Sequence, residues 1–286
     1  MNSMSADERN ADQIAYWNGV GGRHWVTRQQ TQDIVLAPIS AAIIARAAVR
    51  PGERLVDIGC GCGDTTIELG RRVGATGGVL GLDISGPMLA RAAERLPPAL
   101  PVKLVQADAT TYPFAPGGFD LLFSRFGVMF FAEPARSFAN LRRALRPDGR
   151  LAFACWRAPR ENPWMMLPLH AAYEHVPPLP QLGPEDPGPF SFADAERVRR
   201  ILDAAGFRSI AIEPLDLALD IACGGGLGAA VAGALEIGPT SRAIDGQPPE
   251  ILAAVAASIR TALAAHQRGT AVPLAAAAWL VTAANP

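Results

Sequence analysis

Three glycines at alternate positions follow a short apolar segment in the stretch RLVDIGCGCGDTT, residues 54–66. Gly59, Gly61 and Gly63 allow the backbone to approach a ligand closely. A helix that begins just after them would aim its N-terminal N–H groups at the same ligand. The stretch therefore predicts a ligand-binding loop between a buried strand and a helix.

The acids beside this loop argue against a dinucleotide ligand. The dinucleotide fingerprint G-x-G-x-x-G needs a third glycine at the position that Asp64 occupies in this chain. A carboxylate at a helix N-terminus would repel a pyrophosphate, and Asp57 lies just before the loop. The acids instead favour a ligand that has no phosphate and carries a positive charge. A nicotinamide-dependent oxidoreductase on a similar sheet is kept as one alternative.

Two more carboxylates end predicted strands further along the chain. Asp83 lies 20 residues after Gly63, at the end of GVLGLDI, where a carboxylate can accept hydrogen bonds from both hydroxyls of a ribose. Asp108 ends VKLVQAD, at a position where it could meet an adenine. Because such sheets bind ligands at the carboxyl ends of their strands, we expect a nucleoside ligand.

Strands that alternate with helices must position these residues. Strands are predicted in RLVDIG, GVLGLDI, VKLVQAD, FDLLFSRFG and GRLAFACW, and later in SIAIEPLDLAL and LAAAAWLVTAA. Helices are predicted over residues 12–48 and 65–73, and from Ser85, as an N-cap, to about Leu96. A further helix begins near Ser191 or Asp194. The alternation predicts an α/β fold with right-handed βαβ units and a parallel sheet.

The chain is expected to form a single domain over residues 1–286. Trp164 and its apolar neighbours need burial, so the proline- and aromatic-rich segment around them is predicted to be a lid and not a linker. The predicted parts are a helical N-terminal cap (1–48), a ligand-binding core (50–157), a lid insertion (158–190), the rest of the core (191–221 and 272–286) and a helical insertion (223–268).

The composition excludes several classes of function. A formal net charge of -1 provides no field to attract nucleic acid. The four cysteines form no disulfide framework in a chain of this length, and Cys60-x-Cys62 lacks the spacing of a zinc site, so we predict no metal. The polar start of the chain does not read as a signal peptide, and the run LAAAAWLV is too short to span a membrane. A cytoplasmic location is expected.

Five segments, in order over about residues 50–157, resemble the class I S-adenosylmethionine (SAM)-dependent methyltransferases. They are LVDIGCGCGDTT, GLDIS with Met88, QADAT, FDLLFSRFGVMFF and LRRALRPDGRLAFACW. Within that family the chain is most similar to the group that resembles ubiquinone and menaquinone biosynthesis enzymes. The resemblance implies a Rossmann-like, doubly wound, mostly parallel seven-stranded sheet whose last strand is antiparallel, with a helical N-terminal cap and helical insertions.

The resemblance also implies SAM as the cofactor and a role for each matching residue. Asp83 would hold the ribose, Asp108 would bond the adenine amino group, and Ser124 and Arg125 would line the passage to the methyl group. Asp57 is expected to orient the glycine loop. The predicted cofactor-binding residues are Asp57, Gly59, Cys60, Gly61, Asp83, Ile84, Met88, Asp108, Ala109, Ser124 and Arg125.

The methyl acceptor is predicted to be a small, partly hydrophobic metabolite, because the lid is apolar and the chain has no basic stripe. Catalysis by positioning alone is expected, with His24 and His170 as candidates if a base is needed. The aromatic residues near the site could equally be core. Those predicted to line the acceptor pocket are Tyr16, Trp17, Trp25, Phe126, Trp156 and Trp164.

The sequence leaves three questions open. A non-catalytic binding or regulatory protein with the same fold is an alternative to the enzyme. The atom that is methylated (O, N, S or C) is not determined, because fold-level analogy cannot select a substrate. A homodimer is one oligomeric state that the sequence allows.

Overall fold

The computed structural model describes residues 6–183 and 185–286, with side chains from residue 10 onward. The N-terminal region forms three helices, α1 (Ala6–Asn18), α2 (Val20–Thr27) and α3 (Gln29–Ala47). The helical content predicted for residues 12–48 is confirmed, but the chain turns at Gly19 and again at Arg28. These breaks let α1 and α2 pack against each other while α3 lies on the sheet.

The core alternates strands with helices as predicted. Its elements are β1 (Arg54–Ile58), α4 (Asp64–Val73), β2 (Gly78–Asp83), α5 (Gly86–Arg95), β3 (Val102–Gln106), β4 (Phe119–Arg125), α6 (Pro134–Ala144) and β5 (Leu145–Trp156). Ser85 caps α5 as predicted, because its side chain accepts a hydrogen bond from the Met88 N–H at 3.4 Å. A 3₁₀ turn, Val128–Phe130, follows β4.

The second half of the chain adds two strands and the covering helices. The elements are a 3₁₀ turn (Pro159–Glu161), α7 (Pro163–Ala172), α8 (Ala195–Ala204), β6 (Arg208–Asp220), α9 (Gly226–Glu236), α10 (Gly238–Ala243), α11 (Pro249–Ala264) and β7 (Pro273–Ala284). Asp194, and not Ser191, caps α8, by accepting from the Glu196 N–H at 2.9 Å. Since α7 packs on α10 and α11, the segments predicted as lid and insertion form one layer.

The seven strands form one sheet in the order β3-β2-β1-β4-β5-β7-β6. All pairs are parallel except those of β7, which runs antiparallel to both β5 and β6. The predicted fold class is therefore confirmed. The chain leaves β1 towards β2 and β3 on one side and returns to β4 and β5 on the other. This reversal creates a crevice at the carboxyl ends of β1 and β4.

Phenylalanines pack one flank of the sheet. Phe138 is fully buried on α6, and its ring centroid lies 5.7 Å from that of Phe153, 6.2 Å from that of Phe192 and 6.4 Å from that of Phe207. This cluster joins α6 and β5 to the start of α8 and β6. It holds the late strands in place, so the floor of the crevice is rigid.

Candidate cofactor and acceptor site

A cavity of about 780 Å³ opens at the carboxyl ends of the strands. The glycine loop after β1 and the ends of β2 and β3 form its floor. Helices α1 and α2 form one wall, and the turn after β4, α7 and the α9–α10 junction form the others. Both the loops of the core and the covering helices therefore border the same space.

The glycine loop depends on backbone conformations that favour glycine. Gly59, Gly61 and Gly63 have φ angles of +66°, +55° and +83°. A Cβ atom on Gly59 would lie 2.7 Å from the Cα of Gly127, in the turn after β4. No side chain can occupy that gap without moving one of the two loops. The loop therefore presents bare backbone to the cavity.

Asp83 ties the glycine loop to the start of α5. Its side chain is buried, with Oδ2 accepting from the Gly61 N–H at 2.7 Å and Oδ1 accepting from the Ser85 N–H at 2.8 Å. Burial raises the pKa of Asp83, and these backbone N–H donors act against that rise. The residue lines the cavity, and each oxygen keeps lone-pair capacity for a ligand hydroxyl.

Asp108 borders the same end of the cavity. Its Oδ1 accepts from the Thr110 N–H at 2.8 Å, and its Oδ2 accepts from the Asn10 amide at 3.0 Å. Ile84, Met88 and Ala109, three of the predicted cofactor residues, line the space between Asp83 and Asp108. Asn10 belongs to α1, so the N-terminal helix reaches directly into the part of the cavity predicted to hold the adenine.

The N-terminal helices dock on the loop between β2 and α5. The Asn18 amide donates to the Ile84 carbonyl at 3.0 Å and accepts from the Gly86 N–H at 3.0 Å, while the Ser85 hydroxyl donates to the Trp17 carbonyl at 2.6 Å. A Cβ atom on Gly22 would lie 2.0 Å from that same Trp17 carbonyl oxygen. The glycine-bearing stretch YWNGVGG is thus required for close helix packing over the cofactor loops.

Asp57 lies beneath the glycine loop and does not line the cavity. It is fully buried, with Oδ2 accepting from the hydroxyls of Thr65 at 2.8 Å and Thr66 at 2.6 Å. Among the described residues its Oδ1 has no hydrogen-bond partner. Burial raises its pKa to about 6, and the two threonine hydroxyls limit the rise. Asp57 therefore orients the loop by joining β1 to the first turn of α4.

Ser124 and Arg125 occupy different places although they are neighbours in sequence. Ser124 is buried off the cavity wall, where its hydroxyl donates to the Ile58 carbonyl at 2.8 Å and accepts from the Gly127 N–H at 3.1 Å. The Arg125 guanidinium lines the cavity and donates to Asp64 at 2.9 Å and to the Ser40 hydroxyl at 2.6 Å. Asp64, which stands where a dinucleotide loop has glycine, is thus held by an arginine.

Aromatic side chains cover the other end of the cavity. The rings of Phe126 and Trp156 are stacked at 4.0 Å with an interplanar angle of 10°, and Trp164 follows at 5.1 Å from Trp156. Trp17 and Tyr16, whose rings are in edge contact at 5.2 Å, lie instead on α1, beside the loop after β2, where the Trp17 carbonyl accepts from Ser85. These two groups, together with Trp25, are the residues predicted for the acceptor pocket, and all of them line the cavity.

Only one of the two candidate histidines borders the cavity. His24, on α2, lines the cavity, whereas His170 is exposed on α7 and does not. His170 therefore does not border the space in which a reaction would take place. Catalytic roles for either residue stay predictions, and the geometry favours His24.

Other cavity residues were not predicted from the sequence. Asn10, Asp33, Met129, Glu236 and Arg242 all line the site. The Arg242 guanidinium lies 4.6 Å from the centre of the Tyr16 ring, which joins α10 to α1. Met129 lies in the turn after β4. The others come from helices distant in sequence, and nothing in their local pattern marks them. Only the fold of the chain brings them to the cavity.

Acidic side chains outnumber basic ones on the cavity wall. Apart from histidine, the ionisable acids and bases that line it are Asp33, Asp64, Asp83, Asp108, Asp186, Glu236, Arg125 and Arg242. Asp33 and Asp64 are paired with arginines at 2.7 and 2.9 Å. In the part of the chain with described side chains, no lysine or arginine pairs with Asp83 or Asp108. Their charge is available to a cationic ligand.

Residues 56–153 match the family model described as "Methyltransferase domain". These residues carry a methyltransferase domain. The predicted family, enzyme class and cofactor are thereby confirmed. The matched region contains the glycine loop, Asp83, Asp108 and Arg125, which line the cavity at the ends of the strands.

Two curated relatives carry quinone-related names. The first is a 2-phytyl-1,4-naphtoquinone methyltransferase from Trichormus variabilis, 34% identical over 116 residues, which are 40% of this chain and 51% of that protein. The second is a demethylmenaquinone methyltransferase from Lactobacillus johnsonii, 27% identical over 180 residues, which are 59% of this chain and 73% of that protein. The match to the first relative thus spans about half of that relative's length.

A solved structure supports the same fold. The phosphoethanolamine N-methyltransferase 2 of Haemonchus contortus, solved with phosphomonomethylethanolamine and S-adenosylhomocysteine, aligns with a TM-score of 0.57 at 18% identity. The alignment covers 99% of this chain and 61% of that structure. At this identity the likeness concerns the fold alone.

The close approach of Gly59 to Gly127 predicts that a methyl group added at Gly59 weakens SAM binding. In Gly59→Ala the new Cβ must push the two loops apart, which should weaken SAM binding about tenfold or more, since 1.4 kcal/mol of strain is a factor of ten. Gly117→Ala is the matched control, because Gly117 has the same φ of +66° and no atom within 4 Å of its Cβ position. Equilibrium dialysis with radiolabelled SAM measures the two affinities. Equal losses in both variants would contradict the crowding argument.

The buried carboxyl of Asp57 predicts a specific pH dependence of stability. Its pKa is about 6 in the folded chain against an ordinary value of 3.8, so between these two pH values the folded state holds a proton that the unfolded state has released. As pH rises from about 4 to about 6, ionisation of Asp57 should lower the free energy of unfolding by about 3 kcal/mol. Above that window its contribution is constant.

Asp57→Asn cannot ionise, so it removes this dependence. Urea unfolding of both proteins at pH 4, 5, 6 and 7 should show the variant gaining stability relative to the parent across that window. Taking the difference between the two proteins cancels the titration of all other groups. Profiles that stay parallel over the whole range would show that Asp57 does not titrate there.

Proposed function

We propose that this chain transfers the methyl group of SAM to a small hydrophobic acceptor of the quinol class. The observation that carries the proposal is the division of one cavity into two ends. Carboxylates without basic partners, Asp83 and Asp108, border one end, and stacked aromatic rings border the other. A charged nucleoside and a flat apolar acceptor are the pair of ligands that such a cavity suits.

The residues at the first end fit the cofactor. The glycine loop is a cradle that a Cβ atom would fill at Gly59. Asp83, at the end of β2, would accept hydrogen bonds from the ribose hydroxyls, and Asp108, just after β3, would accept one from the adenine amino group. When bound, SAM supplies an electrophilic methyl group on a sulfonium centre.

The contribution of the chain is to orient the acceptor and exclude water. The covering helices close over the cavity, and the docking contacts of α1 and α2 hold them on the cofactor loops. Alignment of two reactants in a dry site supplies much of the rate of such a transfer. A hydroxyl or ring carbon must also lose a proton, and His24 is the histidine on the cavity wall that could accept it.

The acceptor class rests on the second end of the cavity and on the names of the relatives. Phe126 and Trp156 present a flat aromatic surface, and Met129, Met165 and Leu169 add apolar walls. Both curated relatives are named for methylation of naphthoquinone-type molecules. A reduced quinol has an electron-rich ring that can attack a methyl group, and its planar shape suits stacking on aromatic side chains.

A direct assay tests the proposal. The purified chain is incubated with methyl-labelled SAM and a reduced short-chain 1,4-naphthoquinol that has an unsubstituted ring position. Phosphoethanolamine serves as a polar acceptor for comparison. We expect label in the quinol and none in phosphoethanolamine, because the acceptor end of the cavity is apolar. Transfer to phosphoethanolamine alone would contradict the acceptor class. SAM binding without transfer to any acceptor in a broader screen would favour the non-catalytic alternative.

Asp83→Asn provides the internal control for that assay. It should raise the KM for SAM about 10- to 100-fold, since hydrogen bonds to a charged group contribute about 1.5–3 kcal/mol. Asp120→Asn is the matched variant, because Asp120 lies at the opposite end of the strands, where it accepts from the Arg54 N–H at 2.8 Å. An unchanged KM in Asp83→Asn would remove the ribose assignment.

A further inference from the structure

A second, smaller cavity lies beside the acceptor end of the main one. It has a volume of about 40 Å³ and is lined mainly by residues of α3, α7, α9 and α10. Trp164, Met165 and Ile237 border both cavities. The indole of Trp164 is therefore part of the wall that separates the acceptor space from this small internal cavity.

Two buried polar atoms on the residues of this small cavity lack hydrogen-bond partners. One is the indole Nε1 of Trp164, a donor, and the other is the amide Oε1 of Gln32, an acceptor. Gln32 lies on α3 and is 6% exposed. Among the described residues, no other unpartnered buried donor and acceptor border a common cavity. Buried polar groups are rarely left unpaired in native proteins.

We infer that one water in the small cavity accepts the hydrogen bond of the Trp164 indole and donates to Gln32 Oε1, and that Gln32 thereby positions the aromatic wall of the acceptor pocket. The Trp164 Nε1 is buried, so a ligand in the main cavity cannot reach it. Gln32 lines the same small cavity and offers the complementary acceptor. A cavity of about 40 Å³ has room for a single water.

The water-mediated hydrogen bond between Gln32 and Trp164 matters because Trp164 is the first of three neighbouring aromatic rings. Its ring lies 5.1 Å from that of Trp156, and Trp156 stacks on Phe126 at 4.0 Å. A planar indole that is fixed by one hydrogen bond at its edge has a defined tilt. Without that bond it can rotate within the layer of α7 and disturb the stack. Gln32 thus acts on the acceptor through Trp164, without touching the acceptor itself.

The effect should be confined to one substrate. Asp83 and Asp108 line the cofactor end of the main cavity, and neither borders the small cavity. Loss of the Gln32 link should therefore raise the KM for the acceptor and leave the KM for SAM unchanged. This inference rests on the proposed function, because it needs an acceptor that stacks on the aromatic wall.

A double-mutant cycle tests the inference. Gln32→Met keeps the length of the side chain and removes the acceptor, and Trp164→Phe keeps an aromatic ring and removes the donor. Each should raise the KM for the short-chain naphthoquinol by about tenfold, the factor that corresponds to 1.4 kcal/mol. The double variant should be no worse than the more affected single variant, because one interaction is lost once. Gln30→Met, at an exposed position on the same helix, should have no effect.

Two results would overturn the inference. One is a double variant whose KM increase equals the product of the two single increases, since independent effects multiply. The other is an equal rise in the KM for SAM, which would mean a general structural loss. The same cycle measured by urea unfolding needs no acceptor. A non-additive unfolding cycle in a chain that methylates no quinol would keep the Gln32–Trp164 link and reject the proposed function.

Discussion

The carboxylate of Asp83 holds together the loops on which the rest of the site depends. One oxygen accepts from Gly61 and the other from Ser85, so a single side chain joins the glycine loop of β1 to the first turn of α5. Ser85 in turn caps α5 and donates to the Trp17 carbonyl. The N-terminal helices are therefore attached to the cofactor loops through the same few atoms. A charge at this position stabilises the loop and also creates the place where a ribose would bind.

The cavity combines this charged end with an aromatic end, and the two are built differently. Backbone conformations and strand ends form the charged end, which makes it rigid and local in sequence. Helices from three distant segments form the aromatic end, which depends on packing. Methyl transfer needs this combination, since the cofactor must be held in one place while the acceptor is pressed against it without water.

The sequence predicted the charged end well because its rules are local. A strand, a glycine loop and a helix follow each other within residues 54–73, and Asp83 and Asp108 end the next two strands in order. Asp57, which is expected to orient the loop, lies beneath the cavity wall, where its side chain accepts from Thr65. Ser124 is expected to line the passage to the methyl group, but its side chain is also beneath the wall, because it donates to the Ile58 carbonyl. Strand alternation alone cannot tell which side of a strand end faces the ligand.

The remainder could not be predicted because it depends on long-range packing. Asn10 meets Asp108 across 98 residues of chain, and Gln32 meets the small cavity through a helix whose apolar positions show no clear face. His170 fell outside the site because its position on α7 is set by the contact of that helix with α10 and α11. Among the described residues, no helix is long and apolar enough to cross a membrane. The cellular location and the oligomeric state stay predictions.

Calorimetric titration of the purified chain with SAM, and separately with NADH, tests whether the glycine loop and Asp83 bind SAM and not a dinucleotide. We expect micromolar binding of SAM and no binding of NADH, because Asp64 and Asp57 oppose a pyrophosphate while Asp83 and Asp108 accept from the nucleoside. Binding of NADH, or absence of SAM binding in a chain shown to be folded by circular dichroism, would contradict the assignment of the glycine loop and of Asp83 to this cofactor.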